Sequence, residues 1–331
     1  MKPILSTNQQ SIMSLLLFEK VCLYKEDKNV TILYGQYKHK FDHVEIESID
    51  EVCLVFCENR PDFYLEIPGK ITKIERIFFH FQNEKITFTN LHLTFPFEHC
   101  NLDLKPTSAI ISTLCKYYTH RLDEWIQYHL NLGFSGIVIF NNDGNVTNGL
   151  NESLEHCTRA HSTEEVCRNY PGKVWAIDYP YSLMHGEEWN TIQRISLHIG
   201  VNAFQTKCRN IALIDADEFI HLPKNPSMKI EEFLGEYDGT ITMKSNILTN
   251  KRDDDYLNNN ILQLALYVGE DKYTKTILHT DYITENEFII TPHEHPLHTI
   301  LEKDDIIHYH CWMNRRYEYR DWMPRIDFLH G

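Results

Sequence analysis

Short runs of alternating apolar and polar residues fill the first third of the chain. Turn-forming pairs such as Arg60-Pro61 and Pro68-Gly69 separate them, so each run is predicted to be a β-strand. The predicted strands are residues 30–34, 43–49, 52–57, 63–67, 71–81 and 86–97. Because no helical period interrupts them, we expect a small antiparallel β-sandwich.

The pattern changes after the first third. Residues 108–114 form a continuous apolar run that is typical of a buried strand, and residues 120–132 then place apolar side chains at helical spacing. A second apolar run at 136–140 ends in a polar loop. Strand, helix, strand and polar loop make a βαβ unit, which predicts a parallel sheet with a ligand site at the carboxyl ends of its strands.

The rest of the chain continues this mixture of strands and helices. The pattern predicts a helix over residues 189–204 and strands over 174–179, 210–214, 240–243, 274–278 and 306–310. We therefore expect two domains, a β-rich N-terminal domain over residues 1–105 and an α/β domain over residues 106–331.

Composition and charge narrow the classes of function. The chain has 331 residues, of which 42% are hydrophobic and 24% charged, as expected for a compact globular protein. Its 47 acidic and 32 basic side chains give a net charge of −15, which repels phosphate backbones and anionic lipid. We therefore expect no nucleic-acid partner.

The apolar runs are all short, and the cysteines are scattered. No stretch approaches the roughly 18 apolar residues that a membrane-spanning helix needs, so we expect no membrane span. The nine cysteines lack CxxC spacing and are interpreted as mostly buried thiols in a reducing compartment. Together these features predict a cytoplasmic protein.

The most informative motif is Asp215-Ala216-Asp217, which directly follows the apolar run 210–214. Side chains alternate along a strand, so both carboxylates are expected to project to one side. Two such carboxylates need a cation, and hard oxygen ligands suit Mn²⁺ or Mg²⁺, which can bridge to nucleotide phosphates. The motif predicts a metal that neutralises a departing diphosphate. The alternative is an acidic turn that binds nothing.

Five histidines fall between positions 293 and 310 and offer further ligands. His308 and His310 share one face of the predicted strand, and either imidazole could complete the metal site. A rival hypothesis places Zn²⁺ at His293, His295 and one later histidine, which would leave a position for a hydrolytic water. That zinc-dependent hydrolase would give the Asp215 and Asp217 motif no role.

Several motifs, taken in order, resemble a known enzyme family. They are Ser108-Ala-Ile-Ile-Ser-Thr-Leu-Cys-Lys-Tyr, Asp123-Glu-Trp-Ile-Gln-Tyr-His129, Leu132-Gly-Phe134, Val138-Ile-Phe-Asn-Asn142, Gln193, Asp215-Ala-Asp-Glu-Phe219, Lys275-Thr-Ile277, His293 and His308-Tyr-His310. Together they resemble the family 92 glycosyltransferases over residues 106–316. The N-terminal β region also resembles the β-sandwich that precedes the catalytic domain in some members.

The resemblance implies a fold and a reaction. The fold is α/β of the GT-A type, a Rossmann-like mixed sheet flanked by helices, here with an N-terminal small β-sandwich domain. The reaction is the inverting transfer of a sugar, often galactose, from a UDP-sugar donor to a glycan or glycoconjugate hydroxyl, with Mn²⁺ or Mg²⁺ as cofactor. Animal and plant members usually have a membrane anchor, and no such segment is predicted in this sequence. We therefore expect a cytoplasmic enzyme of bacterial or viral origin, at most peripheral to a membrane.

The resemblance also implies roles for individual residues. The metal ligands would be Asp215, Asp217 and His310, with His308 as the alternative imidazole. The residues that would bind the nucleotide are Thr113, Asn142, Asp143, Gln193 and Lys275, of which Lys275 would face phosphate or, alternatively, be a solvated strand residue.

An inverting transfer needs a general base that takes the proton from the acceptor hydroxyl. The favoured candidate is Glu294, with Asp254 or its neighbours in the acidic loop 253–255 as the alternative. His293 would orient the base or the acceptor. A further alternative is a non-catalytic carbohydrate-binding protein that kept the fold.

Overall fold

The structure is a computed structural model, and it divides into two compact units. It describes residues 15–82, 84–116, 119–143, 162–181, 190–249, 266–289, 291–293, 295–296, 298–302, 304–311 and 325–326. The first unit comprises Met1–Cys100 with Ile177–Ile195, and the second comprises Asn101–Ala176 with Ser196–Gly331. The division after Cys100 falls near the predicted boundary, whereas the segment 177–195, expected in the second domain, belongs to the first unit.

The first unit is built from antiparallel strands. They are β1 (Leu15–Leu17), β2 (Leu23–Lys25), β3 (Val30–Tyr37), β4 (His43–Ile46), β5 (Cys53–Phe56), β6 (Asp62–Pro68), β7 (Lys73–His80) and β8 (Lys85–His92). One sheet has the order β1-β3-β6-β5 with β2 also paired to β3, and the other has the order β4-β7-β8. Side chains from both sheets meet in one hydrophobic core, so this unit has the predicted sandwich arrangement.

Aromatic rings fill the centre of that core. The Phe41 ring lies 5.0 Å from the rings of both Phe63 and Phe79, at steep angles typical of edge-to-face packing. Gly35 is paired with Phe63 across the sheet, and a Cβ atom at Gly35 would lie 2.2 Å from the ring. Only glycine therefore leaves room for the Phe63 ring.

The segment 177–195 completes the first unit through both apolar and polar contacts. The rings of Tyr179 and Tyr181 lie 5.8 and 4.6 Å from the ring of Phe18. The guanidinium Nε of Arg194 donates to Asp62 Oδ2 at 3.1 Å, and both side chains are at most 10% exposed. These buried contacts explain why the segment groups with the N-terminal strands.

The second unit combines helices with one large sheet. Its elements, two of which cross the division, are β9 (Ala109–Cys115), α1 (Thr119–Leu132), β10 (Gly136–Asn141), α2 (Thr163–Arg168), β11 (Val174–Asp178), α3 (Asn190–Phe204), β12 (Asn210–Leu213), β13 (Glu218–His221), α4 (Ile230–Gly235), β14 (Thr240–Thr249), β15 (Leu266–His279), β16 (His298–Ile300), β17 (Ile307–Cys311) and β18 (Arg325–Ile326). Within the described residues, no helix is both long and apolar enough to cross a lipid bilayer.

The large sheet is mixed and runs in the order β11-β10-β9-β12-β15-β14-β17-β13, with β16 beside β14 and β18 beside β15. Strands β10, β9 and β12 are parallel neighbours, and β15 then pairs antiparallel with both β12 and β14. On α1, the predicted apolar positions Leu122, Trp125 and Ile126 are fully buried in the core of this unit. The result is a mixed α/β architecture, as the βαβ pattern predicts.

Candidate functional site

Predicted site residues lie in or just beyond the carboxyl-terminal ends of three parallel strands of the large sheet. Thr113 lies near the end of β9, Asn142 directly follows β10, and Asp215 follows β12 by two residues. The ladders pair Leu213 with Ser112 and Ile139 with Thr113. The carboxyl ends of the three strands therefore lie side by side, which is where open α/β sheets bind ligands.

Asp215 and Asp217 lie in a tight turn between β12 and β13 rather than in a strand. The Glu218 amide donates to the Asp215 carbonyl at 3.1 Å, and the Asp215 amide donates to Glu218 Oε2 at 2.9 Å. The expectation that a continuing strand places the two carboxylates on one side is therefore wrong, because residues 214–217 are not part of a strand. Each carboxylate has its own partner, Lys275 for Asp215 and His310 for Asp217, and the charges of both act on the buried Glu218 carboxyl.

Lys275 of β15 forms a buried ion-pair network with this turn. Its ammonium Nζ lies 2.6 Å from Asp215 Oδ2 and 3.2 Å from Glu218 Oε2. Burial raises the pKa of the Glu218 carboxyl to about 7, despite the opposing charge of Lys275. Burial alone would lower the pKa of Lys275, but the two carboxylates outweigh it and raise that pKa. Lys275 is therefore charged and bound to carboxylates of the site, neither solvated nor facing outward.

His308 and His310 of β17 approach the same carboxylate from the opposite side. His310 is paired with Glu218 across the sheet, and a ring nitrogen of each histidine lies within 4 Å of Glu218 Oε1, at 3.6 Å for His308 and 3.9 Å for His310. The two imidazoles therefore lie on one face, as the strand period predicts. His310 Nε2 also lies 3.4 Å from Asp217 Oδ2.

The two histidines differ in protonation. Burial lowers the pKa of His308 well below its ordinary value, so this fully buried imidazole is neutral. Burial also acts to lower the pKa of His310, but its contact with Asp217 and the nearby carboxylates outweigh burial and raise the pKa. Of the two histidines, His310 is thus the one whose pKa is raised by contact with Asp217.

His293 lies beside the same network. Its Nδ1 donates to the Thr274 carbonyl at 2.6 Å, and the Thr274 hydroxyl donates to the His293 carbonyl at 2.6 Å. Burial lowers the pKa of His293, and the charges of Lys275 and Asp215 act on it as well. Its ring is therefore neutral, with Nε2 as the nitrogen that can accept a proton. The two carboxylate candidates for the general base, Glu294 and Asp254, lie outside the described residues.

The predicted nucleotide-binding residues differ in their surroundings. The hydroxyl of Thr113 is buried and makes no hydrogen bond within the described part of the chain. Asn142 is fully buried, and its backbone N–H donates to the Cys115 carbonyl at 2.9 Å. Asp143 Oδ2 accepts from the Thr163 hydroxyl at 2.5 Å. Gln193 is half-buried in the part of α3 that belongs to the first unit.

Helix α1 holds the strand that begins with Glu218. The Trp125 indole donates to the Glu218 carbonyl at 2.7 Å, and the Tyr128 hydroxyl donates to the Ile220 carbonyl at 2.8 Å. His129 Nε2 accepts from the Ile220 amide at 3.3 Å. Among the described strands β13 is the last in the sheet, so these side chains satisfy backbone groups that an edge strand leaves unpaired.

Sequence reasoning missed the role of Glu218. The residue stands next to Asp217 in the motif, so the presence of a third carboxylate was visible. Its near-complete burial depends on the pairing of β13 with β17. That pairing joins residues far apart in sequence, and no local pattern specifies it.

Asp217 and His310 are the two residues of this corner that could hold a divalent cation. Asp217 Oδ2 and His310 Nε2 are 3.4 Å apart, close to the separation of about 3.0–3.4 Å between neighbouring ligands of a cation with bonds of about 2.1 Å. The described residues of this corner do not bring three donor atoms within 4.8 Å of one another. Two protein ligands suit Mg²⁺ or Mn²⁺, which keep several positions for water and substrate phosphates.

The histidines of the rival zinc hypothesis have separate partners. His293 Nδ1 is bound to the Thr274 carbonyl, whereas His295 Nε2 lies 3.1 Å from Glu287 Oε1. Within the described ranges, neither belongs to a three-donor cluster. The geometry of these residues does not favour a zinc-dependent hydrolase.

Comparison of the chain with models of protein families gave no match, and comparison with curated proteins gave none either.

Proposed function

We propose that this protein is a metal-dependent, inverting glycosyltransferase with a GT-A fold, which moves a sugar from a UDP-sugar to a glycan hydroxyl. The proposal rests chiefly on the pairing of Asp217 with His310 beside the carboxyl ends of parallel strands. A carboxylate and an imidazole in that position suit a cation that also binds nucleotide phosphates. The ordered motifs that resemble family 92 glycosyltransferases also support this proposal.

The proposed metal site has two ligands that differ in chemistry. Asp217 and His310 would hold Mn²⁺ or Mg²⁺, which when bound supplies positive charge to neutralise the departing diphosphate. Asp215 is held by Lys275 at 2.6 Å, so its position is fixed before any ligand arrives. Such a prearranged charge network lowers the cost of reorganisation during the reaction.

The proposed nucleotide site adjoins the metal ligands. The Thr113 hydroxyl is buried without a hydrogen bond in the described part of the chain, a state that costs about 1–3 kcal/mol unless a partner satisfies it. Asn142 and Asp143 follow the neighbouring strand, and we assign these three residues to the uridine and ribose. The role of Gln193 stays a prediction.

The proposed acceptor site contains His293. Because its Nδ1 hydrogen is donated to the Thr274 carbonyl, Nε2 can accept a hydrogen bond from the acceptor hydroxyl or orient the carboxylate base. Glu294 directly follows His293 and remains the preferred base, with Asp254 as the alternative. Inversion requires that base to lie on the face of the sugar opposite the leaving diphosphate.

The first prediction tests the metal and the nucleotide together. We expect UDP to bind at least about tenfold more tightly with Mn²⁺ than with a chelator, which is about 1.4 kcal/mol. In the Asp217→Asn variant this gain should disappear, because the amide is a poorer ligand and has no charge. Isothermal titration calorimetry of UDP, with and without Mn²⁺, measures both values.

The matched control is Asp281→Asn, which makes the same change at a side chain that is 85% exposed and should keep the metal-dependent gain. Equal UDP affinity with and without Mn²⁺ in the wild type would overturn the donor model. Hydrolysis of a panel of UDP- and GDP-sugars with Mn²⁺ then separates an enzyme from a non-catalytic carbohydrate-binding protein, which would bind glycan but consume no donor.

A further inference from the structure

Three side chains with metal-binding chemistry meet on the outer face of the three-stranded sheet in the first unit. His43 and Glu45 are two positions apart on β4 and therefore project to the same face. His80 on β7 is paired directly with His43 across the sheet. The neighbouring residues Ile46 and Phe79 point into the hydrophobic core, and Val44 packs against it.

The donor atoms of the three side chains lie close together. His43 Nε2 lies 3.6 Å from Glu45 Oε1, and His80 Nε2 lies 3.1 Å from Glu45 Oε2. One donor atom from each residue lies within 4.8 Å of both others. The two imidazole rings are stacked, with centroids 4.1 Å apart and planes 8° apart, and each Nε2 atom lies beside a different oxygen of the Glu45 carboxylate.

The spacing matches the ligand shell of zinc. Zinc–nitrogen bonds of about 2.0–2.1 Å in a tetrahedral site place neighbouring ligand atoms about 3.3 Å apart. The two nitrogen–oxygen distances, each to a different oxygen of Glu45, lie on either side of that value. Because an imidazole binds a metal in the plane of its ring, the two stacked rings must rotate out of their parallel arrangement to share one ion. Two imidazoles and one carboxylate are also a ligand set that zinc uses with a water in the fourth position.

Two of the three side chains are largely exposed to solvent. The His43 and Glu45 side chains are 57% and 56% exposed, whereas the His80 side chain is 23% exposed and its Nε2 atom is buried. Lys85, which is paired with His80 on the next strand, places its ammonium over the Phe78 ring, 3.7 Å from the centroid. A cation can therefore reach the cluster from solvent.

We infer that His43, Glu45 and His80 form a site for a divalent transition-metal ion that prefers imidazole, with Zn²⁺ as the best fit. Bound there, the ion joins β4 to β7 and stabilises the three-stranded sheet, because a ligand that binds only the folded state favours folding. The site lies in the first unit and uses none of the residues assigned to sugar transfer. It therefore stands or fails independently of the proposed function.

The test is a titration of the full chain with Zn²⁺ near neutral pH, followed by calorimetry. We expect His43→Gln and His80→Gln each to weaken one zinc-binding event by at least about tenfold, the scale on which even supporting residues of metal sites act. The matched control is His92→Gln, which changes an exposed histidine at the end of β8 and should leave the titration unchanged. Asp217→Asn should also leave this event unchanged, which separates the site from the transferase metal.

A second measurement identifies the ligands. Co²⁺ in place of Zn²⁺ should give visible d–d absorption without a thiolate charge-transfer band, and the His80→Gln variant should lose that absorption. If a histidine variant does not fold, Glu45→Gln serves instead. It changes an exposed side chain and keeps both imidazoles. Unchanged zinc binding in the histidine variants, or a thiolate band that points to a residue such as the exposed Cys53, would overturn the assignment.

Discussion

His129 is a fully buried histidine whose two ring nitrogens both have backbone partners. Nδ1 donates to the Trp125 carbonyl at 2.9 Å, and Nε2 accepts from the Ile220 amide at 3.3 Å. This arrangement requires a neutral ring, because a protonated Nε2 could no longer accept. The attachment of β13 to α1 therefore depends on a neutral His129 ring.

The second prediction concerns the pH dependence of stability. Burial lowers the pKa of His129 from 6.5 to about 3 in the folded protein, so between these values the unfolded chain binds more protons and stability falls as pH falls. Its contribution is complete above the unfolded pKa. From about pH 7 to about pH 5 we expect His129 to account for a loss of about 2 kcal/mol. Chemical denaturation at each pH measures it.

The comparison variant is His129→Gln, which should show a smaller loss of stability over that pH interval because it has no ring to titrate. His92→Gln, at an exposed position, should keep the pH dependence of the wild type. If His129→Gln and the wild type lost the same free energy of unfolding, the titration would have to be assigned to other groups.

At the scale of single residues, the sequence predicted the acidic corner but not its internal partners. Asp215 and Asp217 follow a strongly apolar run, and that local signal was sufficient to place them at the end of a strand. The ion pair between Lys275 and Asp215 joins residues 60 positions apart. Such a pair depends on the neighbours of β15 in the sheet, which apolar periodicity does not encode.

Elements with a clear apolar period were predicted, and short elements without one were missed. Helix α1 and strands β9, β10 and β12 lie within one or two residues of their predicted bounds. Strand β13 has four residues and follows an acidic turn, so it offers no alternation to detect. Helix α2 has six residues, but its capping box at Ser162 and Glu165 was a signal that the sequence already contained.

The contact between α3 and β9 depends on a glycine in the middle of the helix. A Cβ atom at Gly200 would lie 2.3 Å from the Ser112 hydroxyl oxygen and 3.2 Å from the Phe140 ring. Ser112 and Phe140 are both fully buried, so neither can move aside into solvent. The helix can approach β9 this closely only because position 200 has no side chain.

The third prediction is that Gly200→Ala destabilises the protein, although alanine is normally the better helix former. Overpacking of a buried contact costs about 1–3 kcal/mol, which should exceed the gain in helix propensity. Thermal unfolding followed by circular dichroism gives the change.

The matched variant is Gly235→Ala at the end of α4, where an added Cβ atom meets nothing within 4 Å. It should leave the melting temperature unchanged or raise it. A neutral Gly200→Ala would mean that Ser112 and β9 adjust without cost, and the tight packing assigned to this helix would be wrong.

At the scale of the whole molecule, a buried polar network ties distant parts of the chain into the first unit. Asp62 accepts from Arg194 Nε at 3.1 Å and from Gln36 Nε2 at 2.8 Å. Gln36 Nε2 also donates to the Thr191 carbonyl at 2.6 Å. The predicted N-terminal domain did not include the segment 177–195. The contact between Asp62 and Arg194 spans 132 positions, and local composition does not reveal such a contact.

The fourth prediction is that Asp62→Asn destabilises the protein by about 3–5 kcal/mol, because it leaves the buried Arg194 charge without a counter-ion. Glu98→Gln is the control, since it makes the same chemical change in an ion pair with Lys70 whose side chains are 34% and 45% exposed. Exposed pairs contribute about 0–1 kcal/mol. Urea unfolding of both variants measures the difference, and equal losses would contradict a structural role for the buried pair.

The composition of the first unit from two separate segments has a consequence for how its gene can change. Residues 101–176 stand between the N-terminal strands and the segment 177–195 that completes them. A recombination event at the codon for residue 101 would therefore join the Asp62 segment of one parental gene to the Arg194 segment of the other. We expect the coding regions of the two units to be inherited together and not exchanged as separate cassettes.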